Sequence, residues 1–178
     1  MVLAEWENIE RHHVVLTALR ALGTSVLILA AYYLVPVSDH PRSSIVLRLT
    51  VGLALFIAAL AYEMGAIVRA DRPLLRAADA MALVIPLFIV VFAWTYLTMS
   101  LSAPATFGEP LTRTSALYFT VTVFATVGFG DITAKSDPAR LVVMAQMMLD
   151  LIVIAVVVRL ILGAARGAHD SRTAPMSE

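Results

Sequence analysis

Residues 126–131 read Thr126-Val127-Gly128-Phe129-Gly130-Asp131. Two glycines alternate here with two bulky apolar side chains. Along an ordinary strand successive residues face opposite ways, and their carbonyls alternate with them. A segment that turns successive carbonyls to one side needs backbone angles open mainly to glycine. Gly128 and Gly130 stand at the alternating positions that such a geometry requires. Thr126 adds a hydroxyl oxygen beside its own carbonyl. Taken alone, Gly-Phe-Gly is an ordinary turn before a helix, so its reading depends on its neighbours.

Immediately before it, residues 111–125 are apolar and aromatic (Leu117, Tyr118, Phe119, Val121, Val123, Phe124). The run falls well short of the ~20 residues that a spanning helix needs. Thr112 and Thr114, beside Pro110, are helix-starting residue types. Four other stretches are long enough to span: 14–35, 45–68, 79–101 and 141–162. Proline and charged turns separate them, and Pro86 predicts a kink in the third, tolerable if a neighbour satisfies the freed carbonyl. A half-length helix between two full spans reads as re-entrant. Its return is non-helical backbone, which survives at membrane depth only where it lines a cavity or path. Composition agrees: of 178 residues, 60% are hydrophobic and 15% charged, with a mean hydropathy of +0.86. That is more apolar surface than one small core buries, so lipid is the expected partner of the excess. Net charge is zero and cysteine is absent. Neither nucleic-acid binding nor thiolate metal or redox chemistry is indicated.

The segment 126–131, set after a short helix and between two spans, resembles the selectivity filter of the potassium channel pore-domain family, which the general account of such filters describes as rings of backbone carbonyls. The resemblance covers about 79–163. It implies an all-α membrane protein with four transmembrane helices, a re-entrant pore helix and an extended selectivity filter, assembled as a fourfold homotetramer. One chain supplies one filter segment, so a closed ring takes four. The expected organisation is an interfacial segment at 1–13, two peripheral helices within 14–78, a pore domain at 79–166 and a polar tail at 167–178. Within the pore domain lie an outer helix, a pore helix at 111–125, the filter at 126–131 and an inner helix at 139–163. The implied function is passive, selective K+ conduction, with K+ held by carbonyls of Thr126, Val127, Gly128 and Phe129 and with Gly130 completing the filter. Val127 and Phe129 are expected to turn outward and brace against pore helices. The alternatives are a weakly selective monovalent cation channel and a non-conducting regulatory membrane subunit. No cofactor is expected beyond the permeant K+, and the implied location is the plasma membrane.

Three departures from the family pattern matter. Phe129 replaces the commoner tyrosine. Thr122 stands where some bacterial relatives have a glutamate paired with the filter aspartate, so Asp131 needs another holder. Asp150 stands where many relatives have a hinge glycine, and Gly163 is the only glycine near the end of the fourth span. An ion at mid-bilayer costs at least about 2.5–3.5 kcal/mol, so Asp150 is expected to serve function. One reading turns Asp150, Gln146 and Ile154 to a pore cavity, where the carboxylates concentrate cations and offer a block site to intracellular Mg2+ or polyamines. A gap-free match instead centres the pore on Leu151, Ile154 and Val158. A third possibility bonds the carboxyl between helices.

Other charges have milder readings. Glu63 and Asp79 suit pairing with Arg69, Arg72 or Arg76. Asp131 suits a cation-attracting outer mouth, with Glu109, Lys135 and Arg140 nearby, while Asp137 suits a helix cap before Pro138. His12 and His13 read as a solvated pair, and Trp94, Tyr96, Tyr32 and Tyr33 as belt or contact aromatics. Arg11, Arg20, Arg69, Arg72, Arg76, Arg159, Arg166 and Arg172 favour cytoplasmic N- and C-termini. Leu3, Trp6 and Ile9 give 1–13 either an interfacial helix or a frayed end; its acidic approach does not read as a cleaved signal. No span repeats arginine as a voltage sensor does, and the tail reads as too short for a folded ligand domain. No catalytic motif appears, so enzymatic activity has no sequence support.

Overall fold

The computed structural model describes residues 2–35, 43–70 and 73–173. Five α-helices are present among them: α1 (Val2–Leu34), α2 (Ser43–Val68), α3 (Pro73–Ser102), α4 (Arg113–Phe124) and α5 (Asp137–Thr173). No strand occurs among the described residues. The helices α1, α2, α3 and α5 each hold a stretch long and apolar enough to cross a membrane: Val15–Leu34, Leu49–Ile67, Arg76–Ser102 and Asp137–Arg159. α1 is continuous from Val2, without a break between the N-terminal segment and the first span. Side chains of residues 1–14, including His12 and His13, lie outside the described residues, as do residues 36–42. α5 runs past the expected end at 163 into the polar tail as far as Thr173.

α3 packs against each of the other four helices. Its buried face repeats every four residues, Val84, Phe88, Phe92 and Tyr96, the spacing that stacks side chains along one helix side. Around this ladder lie Phe56 from α2, Phe119 and Val123 from α4, and Val143 and Val153 from α5. Ring centroids are 4.9 Å apart for Phe88–Phe92 and 5.1 Å for both Phe56–Phe88 and Tyr96–Phe119. Lipid offers no hydrophobic drive for helices to associate, so close packing and polar contacts hold such a bundle. α3 also continues through Pro86. Proline has no N–H to bond the carbonyl four residues back, which is that of Ala82. The Ser25 hydroxyl of α1 donates to this oxygen at 2.9 Å.

A second polar lock joins α1 to α4. The last carbonyls of a helix have no partner inside it, and Arg113 serves those of α1. Its guanidinium donates to Tyr32 O at 2.6 Å, Tyr33 O at 3.1 Å and Val35 O at 2.8 Å. Tyr32 reciprocates, its phenol donating to Arg113 O at 2.7 Å. Arg113 is the first residue of α4 and the clasp on α1. On the other end of the bundle, Arg76 of α3 pairs with buried Glu63 of α2 at 2.7 Å, within the set of partners expected for Glu63. The segments flanking α4 are tied to each other: Gly108 N donates to Thr133 O and Lys135 N to Thr106 O. The start of α5 corrects one reading. Ser136, not Asp137, sits at the cap, its hydroxyl accepting from Ala139 N at 3.4 Å, while Asp137 is the first helical residue.

Candidate functional site

α4 is built to end where residues 126–131 begin. Thr112 caps its start in extended conformation, its hydroxyl accepting from Ser115 N at 3.1 Å. At the far end the helix frays into a hydrogen-bonded loop. Thr126 N donates to Val123 O at 2.9 Å, and Thr122 O accepts from both Val127 N at 3.0 Å and Gly128 N at 3.2 Å. The Thr122 hydroxyl is spent on Phe119 O, and the residue is buried. Peptide groups are planar, and no cis bond occurs, so each C=O points opposite to the N–H it shares a plane with. The N–H groups of Val127 and Gly128 both face α4. The carbonyls of Thr126 and Val127 therefore both face away from it, on the same side.

The backbone angles show how. Thr126 (φ 57°), Gly128 (φ 53°) and Gly130 (φ 81°) lie in the left-handed region, alternating with Val127 and Phe129. Both glycines stand where the alternation expected them. Thr126 extends the pattern by one step and went unrecognised, because threonine rarely adopts positive φ. Such a residue persists only where its surroundings over-determine it, and here the Thr122 and Val123 carbonyls do so.

The side chains of the segment lie on the outside of the single protomer. Val127 is 53% exposed and Phe129 70%. The Phe129 ring lies parallel to that of Tyr118 on α4, 2° between planes and 6.4 Å between centroids. Asp131 is exposed, and the largest influence on its carboxyl is the Tyr118 phenol. That phenol holds Asp131 below the usual carboxylate range, and the carboxylate raises Tyr118. Tyr118 thus does for Asp131 what Thr122 cannot. The sequence signal was a phenol on the turn of α4 before Thr122, and it was passed over as one more apolar aromatic.

Residues 84–166, which include most of α3, all of α4, the 126–131 loop and much of α5, match the family model described as “Ion channel”. Residues 84–166 are thus similar to an ion-channel domain. The protein is accordingly a multi-pass membrane protein. No curated protein and no solved structure matches the chain.

Within residues 84–166 the inner-helix reading needs correction. Gln146 (0% exposed) and Asp150 (2%) point into the protomer, not to an open cavity face. A polar side chain at bilayer depth is held where it finds partners. Gln146 finds two, accepting from the Tyr96 phenol at 2.6 Å and donating to Thr120 O at 3.2 Å. It thereby joins α5 to α3 and to the middle of α4. Asp150, one turn on, follows it inside, where neither carboxyl oxygen has a hydrogen-bond partner among the described residues. A ring of Asp150 carboxylates offering a site to Mg2+ or polyamines is not what this arrangement builds. Ile154 does lie on the outer face of α5, together with Leu151 and Val158, the three residues of the gap-free reading. At the other charged positions, Arg140 pairs loosely with Asp137 at 3.7 Å and donates from Nε to Ala134 O. Among the described residues no cluster of His, Cys, Asp or Glu is placed to hold a metal ion.

Proposed function

We propose that this protein is a potassium-selective channel in which four chains meet around an axis and conduct K+ passively through a ring of backbone carbonyls. The observation that carries the reading is the alternation of left-handed residues at 126, 128 and 130, with the N–H groups of Val127 and Gly128 turned into α4. Carbonyls freed on one side are what a dehydrated cation needs in place of its water. A single chain presents one such strip, so four are required to close a cage, and cyclic symmetry is the ordinary way to close one. Thr126, Val127, Gly128 and Phe129 then hold K+, Gly130 completes the filter, and Asp131 lies at the outer mouth.

The surrounding structure suits this assembly. α4 has 12 residues, about 18 Å at 1.5 Å per residue, so it enters the bilayer without crossing it. Its C-terminal end, the partially negative end of a helix, lies at the base of the carbonyl strip and favours a cation there. The exposed side chains of Val127 and Phe129 become contacts between neighbouring subunits. Leu151, Ile154 and Val158 line an apolar cavity beneath the filter. With both termini cytoplasmic in the plasma membrane, α1 and α2 pack at the periphery.

The test is K+ flux from purified protein in liposomes, with reversal potentials read in mixed K+ and Na+ and Gly128→Ala as control. K+-selective flux that the substitution abolishes supports the proposal. Equal permeability for K+ and Na+ moves the protein to a weakly selective cation channel, and absence of flux from folded tetramer removes conduction.

A further inference from the structure

Between α1, α2 and α3 lies a cavity of about 500 Å3, away from the carbonyl strip. Its volume is in the range of small-molecule sites. Its polar residues keep their hydroxyls to themselves: Thr95 donates to Val91 O at 2.8 Å and Thr98 to Trp94 O at 2.7 Å. What remains facing the space is the flanks of Ile28, Ala31, Leu87 and Trp94. Gly52 of α2 also borders it, and a side chain there would press on Val91 at 3.0 Å. A cavity with such walls has no partners for water and stays dry. All three helices forming it hold membrane-spanning stretches, so the solvent at its depth is acyl chain.

One end of the cavity is marked by charge. Tyr32 and Val35 border it, and the carbonyls of both are held by the Arg113 guanidinium. Arg113 has five N–H donors and makes three hydrogen bonds to carbonyls at the end of α1, so donors remain for an anion. It lies where α1 ends and α4 begins, at the end of the span rather than in its middle. An apolar slot running from mid-span to a cation at the membrane surface has the shape and polarity of a phospholipid.

We propose that this cavity is a phospholipid site, with one acyl chain between α1, α2 and α3 and the phosphate at Arg113. The proposal rests on α1, α2 and α3 spanning a membrane and on Arg113, and holds whichever ion the pore passes. Because Arg113 opens α4, the bound lipid braces the junction between a peripheral helix and the helix under the carbonyl strip.

The chain has two tryptophans, so Trp6→Phe leaves Trp94 as the only fluorophore of its kind. Full-length protein is placed in vesicles of phosphatidylglycerol carrying a dibrominated acyl chain, which quenches indole on contact. Quenching of Trp94 is expected to fall at least twofold in Ala31→Leu and Ala31→Phe, whose side chains fill the slot; two fillers guard against one that misfolds. After detergent extraction, mass spectrometry is expected to find one phospholipid retained per protomer in the parent and none in the filled variants. Diacylglycerol, with the same chains and no phosphate, is expected to be lost. Equal quenching in parent and filled variants overturns the proposal, as does a parent that retains no phospholipid. Retention of diacylglycerol as firm as that of phospholipid overturns the role of Arg113.

Discussion

Ser25 of α1 donates its hydroxyl to Ala82 of α3 at 2.9 Å, to the one carbonyl that Pro86 leaves without its helical partner. The pair explains why a proline survives in the most enclosed helix of the bundle, and why α1 docks at that height. Ser25→Ala strands the Ala82 oxygen in an apolar setting. Hydrogen bonds between membrane helices are worth about 0.6 kcal/mol on average and up to about 1.7, so the expected loss of stability is about 0.5–2 kcal/mol. Pro86→Leu restores a backbone N–H to the same oxygen. In that background Ser25→Ala is expected to cost almost nothing, a non-additivity that a double-mutant cycle in denaturant titrations reads directly. Equal costs in both backgrounds would mean that Ser25 matters for some other reason.

Left-handed backbone at Thr126 and Gly128 leads to opposite expectations for two substitutions. Nothing lies within 4 Å of a Cβ built on Gly128, so Gly128→Ala meets no clash. Its cost is that of an L-residue at φ 53°, about 1–2 kcal/mol, relieved if the peptide flips and its carbonyl leaves the common side. Helix content by circular dichroism is expected to stay at the parent level while K+ flux falls at least about tenfold, the equivalent of about 1.4 kcal/mol. Thr126→Gly removes the same strain at φ 57° and adds glycine's unfolded-state entropy of about 0.5–1 kcal/mol, so its stability is expected within about 1 kcal/mol of the parent. A Gly128→Ala protein with full flux would show that the carbonyls need no left-handed residue at that position.

The spans and the glycine alternation were legible because each is a local pattern: about 20 apolar residues in a row, and Gly-x-Gly after a helix of half that length. Thr126 was not, since its conformation is imposed by the Thr122 and Val123 carbonyls and not by its own preference. The orientation of α5 was not legible either. A helix apolar on nearly every side has no stripe from which its rotation can be read, and one reading turns Gln146 and Asp150 to a cavity, whereas both are buried and Gln146 has its partners inside. Tyr96 and Thr120, which settle the matter, lie far away in the chain. Arg113 is the same case: nothing near it in sequence announces that it caps α1.

Tyr118 and Asp131 give a pH dependence with a definite sign. The Tyr118 phenol lowers Asp131, so its stabilising effect is complete above the ordinary carboxylate value of about 3.9 and is lost as pH falls through the lower, folded value. Tyr118→Phe removes the donor. Titration of Asp131 followed by carboxyl carbon NMR is expected to move upward, toward the ordinary value, and any loss of K+ flux in external acid should begin at a correspondingly higher pH. An Asp131 titration that stays put in Tyr118→Phe would show that some other donor holds it.

Asp150 sits 2% exposed with neither oxygen bonded among the described residues, while its neighbour Gln146 bonds Tyr96 and Thr120. A buried polar group without a partner costs about 1–3 kcal/mol, and replacing one by an apolar side chain of similar size is often stabilising. Asp150→Leu is therefore expected to raise the denaturation midpoint of the purified protein, by about 1–3 kcal/mol in unfolding free energy. Gln146→Leu, by contrast, strands the Tyr96 phenol and is expected to lower stability by about the same amount. The two substitutions also separate structure from permeation. With its carboxyl turned into the protomer, Asp150 exerts no direct pull on ions beneath the filter, so Asp150→Asn is expected to leave current block by internal Mg2+ unchanged from the parent. A block that weakens in Asp150→Asn while protein stability stays constant would place the carboxylate on the ion path and reverse the inward orientation of this face of α5.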